Sequence, residues 1–131
     1  MKKLKIFTLY WLPVFIVMAI IFMLSSRQSI NVSPTKAVNF SIFKTLHILE
    51  YAFLYFVLFR AFRKSLKKQN QGKSYIYALI ASLVYAVSDE IHQSFTPTRE
   101  PSIRDITFDA IGIYLMFQYT KNYLHHLKWF L

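Results

Sequence analysis

Residues 7–24, "FTLYWLPVFIVMAIIFML", hold no charged side chain. As a helix rising 1.5 Å per residue, such a run crosses roughly 30 Å of hydrocarbon. Three further apolar segments follow, at residues 46–62 ("LHILEYAFLYFVLFRAF"), 75–95 ("YIYALIASLVYAVSDEIHQSF") and 106–124 ("ITFDAIGIYLMFQYTKNYL"). The pattern predicts an all-α integral membrane bundle of four transmembrane helices, over about 8–24, 46–62, 75–95 and 106–124, in a single domain spanning 1–131. The second and fourth segments are marginal in hydropathy, yet their polar residues crowd one end of each. The start "MKKLKIF" resembles a secretory leader, but no A-x-A-like site follows the apolar run, so the run reads as a retained first span.

The connections agree with this layout. "SSRQSINVSPTKAVNFSIFK" is polar and broken by proline, with "AVNFSIF" expected in the membrane interface. "RKSLKKQNQGKS" is strongly basic, and "TPTREPSIR" carries two prolines, so the third helix should stop near Phe95. No repeat or second domain is visible. Charge orients the bundle. Eleven of the 16 Lys and Arg lie before the first span, around the second connection or at the C-terminal end, against five (Arg27, Lys36, Lys44, Arg99, Arg104) in the other two connections. The positive-inside rule therefore predicts both termini in the cytoplasm. The formal net charge of +10 suits anionic lipid headgroups. Basic residues that straddle membrane spans form no nucleic-acid patch. The chain has no cysteine, and its 13 Phe and 9 Tyr read as lipid-facing and interfacial surface rather than a cofactor box.

All six carboxylates (Glu50, Asp89, Glu90, Glu100, Asp105, Asp109) fall toward the end predicted to be non-cytoplasmic, with His47 and His92. Helical spacing sorts them into stripes: Lys44, His47, Glu50 and Tyr51 on the second span, and Tyr85, Asp89, His92 and Gln93 on the third. On the fourth span Asp105, Asp109 and Gly112 share a face, where Gly112 would permit close helix approach. A carboxylate facing lipid costs on the order of 2.5–3.5 kcal/mol, so the three stripes should converge inward.

The segments "SSR", "KTLHILEYAFLYFVLFRA" and "SDEIHQSFTPTREPSIRDITFDAIG" resemble the VanZ-like membrane proteins, a family named for a teicoplanin-resistance protein. The D-E-x-H-Q-x-F-x-P-x-R spacing, followed by an Asp and then a Gly, is the most specific part. One departure is Asp109, where the family pattern frequently has Asn. The resemblance implies a multi-span protein of the bacterial cell envelope, linked in one branch to reduced susceptibility to glycopeptide antibiotics.

What chemistry the cluster could do stays open between readings. His47 and Glu50 form H-x-x-E, and Asp89 and His92 form D-x-x-H, so these four are the candidate ligands of a divalent metal such as Zn²⁺ or Mn²⁺. The plainer alternative is hydrogen bonding and ion pairing with Lys44, Arg99 and Arg104 that ties the helices together. In an acid–base reading, His47, Glu50, Asp89, Glu90 and His92 carry catalysis. Arg27, Lys44, Gln93, Arg99 and Arg104 bind an anionic headgroup, and Asp105 and Asp109 support them. That set suits a hydrolase or transferase acting on a lipid-linked phosphate or phospholipid in the outer leaflet. The competing class is a non-catalytic membrane protein that binds a lipid-linked cell-wall precursor or a glycopeptide and alters access to it. Ser25 and Ser26 are weighed as nucleophiles against helix-end caps, and His125, His126 and Trp129 as interfacial anchors. The sequence leaves oligomeric state undefined.

Overall fold

The computed structural model describes residues 2–26, 34–95 and 103–124. The described residues form helices and their turns, with no strand among them. α1 (Lys2–Ile6), a π-helical turn (Phe7–Trp11) and α2 (Leu12–Ser25) make one continuous rod. Pro13 explains the wide turn. It has no N–H for the carbonyl four residues back and its ring crowds that carbonyl, and the π turn, closed by Leu12 N–H to the Phe7 carbonyl, absorbs the mismatch.

α3 (Lys36–Ser65) is the long central helix, about 45 Å by its rise. It begins at Lys36, so "AVNFSIF", expected in a connection, supplies its first turns. A short 3₁₀ helix (Lys68–Lys73) leads into α4 (Ser74–Gln93), and α5 (Ile103–Asn122) follows. α4 ends two residues before Phe95, close to the predicted stop.

Contacts fix the directions of the helices. Lys44 meets Asp105, His47 meets Asp109 and Thr120 meets Tyr55, at separations of 61, 62 and 65 residues, so α3 and α5 run parallel. Met18 with Tyr85, Ser25 with Asp89 and Ser26 with His92 are 67, 64 and 66 apart, so α2 and α4 also run parallel. α4 is antiparallel to α3, because the separation falls from 38 at Tyr51–Asp89 to 20 at Tyr55–Tyr75. The four rods alternate in direction, which brings the end of α2, the first half of α3, the end of α4 and the start of α5 to one end of the bundle.

Packing depends on small residues. Ser74, Ala78, Ser82 and Ala86 recur every fourth residue of α4 and are fully buried, which lets its backbone sit close to its neighbours. They face a core built on Tyr51, Leu54, Tyr55, Phe59 and Ala61 of α3. Gly112 of α5 fulfils the expected close approach: a Cβ there would lie 2.9 Å from the Ile48 carbonyl carbon and closer still to its oxygen.

Outside this core the surface is apolar. Phe15, Ile16 and Ile20 of α2, Phe53 of α3, Val84 of α4 and Leu115 of α5 are all exposed. Exposed apolar surface on every rod suits lipid as solvent far better than water. Three stretches, Leu4–Ser25, Lys36–Ser65 and Lys68–Gln93, are long and apolar enough to cross a membrane. α5 has 20 residues but is not among these three; it carries Arg104, Asp105, Asp109 and Lys121.

Gly112→Ala should therefore destabilise the chain by about 1–3 kcal/mol through overpacking against α3. Gly72→Ala, with nothing within 4 Å of the added Cβ, should be neutral. Thermal unfolding of both variants in detergent checks this.

Candidate functional site

At the polar end, α3 and α5 are joined by two charged pairs. The Lys44 ammonium donates to the Asp105 carboxylate and also lies over the rings of Phe40 and Phe108, at 5.5 and 5.6 Å. One turn deeper, His47 Nδ1 is 3.1 Å from Asp109 Oδ1. Asp109 is 1% exposed and His47 is half-buried. With Asp109 ionised the carboxylate can only accept; Nδ1–H is then the donor and the lone pair of neutral His47 sits on Nε2. A base oriented from behind by a buried carboxylate is the arrangement general-base histidines use. Periodicity put His47 and Asp109 on separate stripes, and the parallel packing of α3 and α5 joins them.

The second cluster ties α2 and α3 to α4. Asp89 is 3% exposed, and its Oδ2 accepts from Ser25 Oγ at 2.7 Å, Tyr51 OH at 3.1 Å and Gln93 Nε2 at 3.0 Å. Gln93 Nε2 also reaches Ser25 Oγ at 3.3 Å. Asp89 Oδ1, also buried, has no hydrogen-bond partner among the described residues. Tyr85 of the same stripe turns away and donates to the Met18 carbonyl at 2.6 Å. Beside Asp89, at the exposed rim, His92 Nε2 lies 3.0 Å from Ser26 Oγ, and its ring stacks on Phe22 at 4.2 Å. Ser26 Oγ also donates to the Phe22 carbonyl at 2.7 Å.

The two serines therefore divide the work: Ser25 engages the acid and Ser26 the base, one helical turn apart on α4. Neither contact was assigned from sequence. Tyr51 belonged to the α3 stripe but had no role there, and only its reach across to Asp89 reveals one. In the sequence Ser25 reads only as a nucleophile or a helix-end cap, within the "SSR" segment of the family resemblance.

The other expected residues sit around these clusters: Glu90 is buried, Glu50 is half-buried within electrostatic reach of His47, and Arg104 is exposed on the first turn of α5. Gln93, expected to face a ligand, is buried and directed at Asp89 and Ser25. Arg27, Arg99, Glu100, His125, His126 and Trp129 lie outside the described residues. The metal set does not assemble: among the described residues no three of His, Asp and Glu are placed to hold an ion. His47 is engaged with Asp109, Asp89 with three neutral donors and His92 with Ser26, so no step is routed through a metal.

Three helices long and apolar enough to cross a membrane, with the described acids and histidines gathered at one end, are compatible with a membrane protein that carries a polar terminal site. A protein-family model described as VanZ/LLP1 matches residues 7–123, and the chain belongs to that family. Comparison with curated proteins and with solved structures returns no match.

The donors around Asp89 should act together in holding α4. Tyr51→Phe and Ser25→Ala should each cost about 1 kcal/mol. The double variant should depart from additivity, because both donors serve one oxygen. Thermal unfolding of the single and double variants in detergent measures both quantities.

Proposed function

We propose that the chain is a membrane-embedded hydrolase or transferase of the bacterial cytoplasmic membrane. All four long rods cross the bilayer, both termini are cytoplasmic, and the polar end opens on the outer leaflet. The skewed distribution of Lys and Arg supports this orientation. Its substrate is a lipid-linked phosphate or a phospholipid. The observation that carries the catalytic reading is His47 held through Nδ1 by buried Asp109, with Nε2 as the basic nitrogen.

In the reaction, His47 Nε2 takes a proton from water or an acceptor hydroxyl. The resulting oxygen nucleophile attacks the phosphorus or the ester carbon. The bond to the lipid's leaving oxygen breaks, and that oxygen receives the proton back from His47. Lys44 and Arg104, with Arg27 and Arg99, supply positive charge for the headgroup. Asp89, Glu90 and His92 lie on α4 at the same end of the bundle, where His92 beside Ser26 is a second acid–base group. Family membership supports a link to glycopeptide susceptibility, which this chemistry would alter by changing the lipid surface or a cell-wall precursor.

The pairing of Lys44 with Asp105 favours a second reading. A cation already neutralised by a carboxylate serves helix association, and a polar end built that way suits a non-catalytic binder of a lipid-linked precursor or a glycopeptide.

Turnover separates the two. Purified protein in vesicles containing phosphatidylglycerol, phosphatidate or a polyprenyl pyrophosphate is assayed for released phosphate, fatty acid and new lipid masses. The catalytic reading expects conversion of one class, a loss of about 10²–10⁴-fold in His47→Gln, and a comparable loss in Asp109→Ala. Asp109→Asn keeps the shape but removes the charge that favours the imidazolium and can turn its NH₂ toward Nδ1, so it too should lose on the order of 10²–10⁴-fold. Undiminished turnover in His47→Gln, or ligand binding with no turnover at all, would sink it.

A further inference from the structure

The face of α5 turned away from the bundle carries hydrogen-bonding groups that the bundle does not use. Asp109, Ile113 and Thr120 point inward and are buried. On the opposite side Thr107, Ile111, Tyr114 and Gln118 form one stripe, the first three exposed and Gln118 half-buried. Gln118 Nε2 donates to the Tyr114 hydroxyl at 2.7 Å, and among the described residues neither side chain makes another hydrogen bond. The Gln118 carbonyl, its second N–H and the Tyr114 hydroxyl proton are left over.

Depth makes this costly. The contacts of His47 with Asp109 and of Tyr55 with Thr120 join residues 62 and 65 apart, which sets Gln118 level with residues 53–56 of α3. That is the middle of the apolar segment 46–62. Phe15, Ile16 and Ile20 of α2, Phe53 of α3 and Ile80 and Val84 of α4 meet acyl chains with nothing left to satisfy. An amide on α5 facing the same hydrocarbon has neither donor nor acceptor to meet. α5 is also absent from the three helices apolar enough to cross a membrane by themselves.

A second copy supplies what lipid lacks. Copies inserted in one orientation are related by a two-fold axis along the membrane normal, so α5 and its mate run parallel and each residue of the stripe meets its own counterpart. An amide suits that symmetry, because it both donates and accepts: the Gln118 carbonyl of each copy can take the spare N–H of the other. The stripe advances by four, three and four residues, the spacing of a coiled-coil seam, where one polar position fixes register and pair number. Arg104 and Lys121, next along the stripe at its two ends, would bring like charges together and so limit the seam to the turns between them.

We propose that two copies of the chain pair in the membrane through this face of α5, with Gln118 against Gln118 across the axis. The inference rests on the reading that α5 crosses the bilayer and does not depend on the catalytic one.

The test uses the full-length chain in phosphatidylglycerol–phosphatidylcholine vesicles, with single thiols introduced into a sequence that has no cysteine. Under copper–phenanthroline oxidation Ile111→Cys should give a disulfide-linked dimer, while Val84→Cys, also exposed but on α4, should stay monomeric. Energy transfer between copies labelled at Gln69→Cys measures the affinity. Gln118→Leu should weaken it about 3- to 30-fold through the lost interhelical hydrogen bonds, and Gln118→Asn, which keeps an amide, should weaken it less. Equal cross-linking at Val84→Cys, or unchanged affinity in Gln118→Leu, would overturn the seam. Monomer throughout, with Leu115→Cys shielded from a water-soluble maleimide, would overturn the pairing while leaving α5 in the membrane. Ready labelling of Leu115→Cys by that reagent would put this face in water and overturn the pairing together with the membrane reading of α5.

Discussion

The contact on which the polar end depends is the approach of Gly112 to the carbonyl of Ile48. No side chain larger than hydrogen fits between the two backbones. That closeness puts α3 and α5 in register over their shared length. Lys44 then reaches Asp105, and His47 reaches Asp109. A wider spacing would leave two carboxylates, a lysine and a histidine facing each other across a gap in apolar surroundings, where unpaired charge is costly. The glycine therefore sets the electrostatics as much as the packing.

The two ends answer one problem, charge beside hydrocarbon, with different partners. At the acid-bearing end Lys44 and His47 pair with Asp105 and Asp109, and the helices are tied by directional contacts. At the other end Arg60 and Lys64 lie over Tyr10, and Arg63 over Phe59. Between the ends, small residues on α4 and large ones on α3 interlock, with Tyr55 also in reach of Thr120 and of the Tyr75 carbonyl.

Much of this was legible in the sequence, for identifiable reasons. The helices were visible as four apolar segments, three of them long and apolar enough to cross a membrane, while α5 showed as a marginal one. The gathering of acids at one end followed from counting residues along each run, and Gly112 announced itself by its spacing from Asp105 and Asp109. The pairings were not legible. Periodicity places His47 and Asp109 on faces of their own helices, but which face meets which depends on the parallel register of α3 and α5. Ser25 looked like a helix-end residue and turned out to bind Asp89, while Gln93 looked like a ligand contact and turned inward. The start of α3 was misplaced because hydropathy detects the apolar part of a helix, and Lys36 to Thr45 is helical without being strongly apolar. The π turn was hidden for a similar reason: Pro13 warns of a disturbance without saying how the backbone absorbs it.

The proposed orientation divides charge between the two faces of one membrane, with the acid–histidine end outside. The absence of native cysteine makes this directly measurable. Ser94→Cys places a single thiol at the end of α4, and Gln69→Cys places one in the basic turn before it; both positions are exposed. Labelling intact cells with a membrane-impermeant maleimide should modify the Ser94→Cys variant and spare Gln69→Cys until the cells are opened. The reverse pattern would put the His47 site in the cytoplasm and contradict the account.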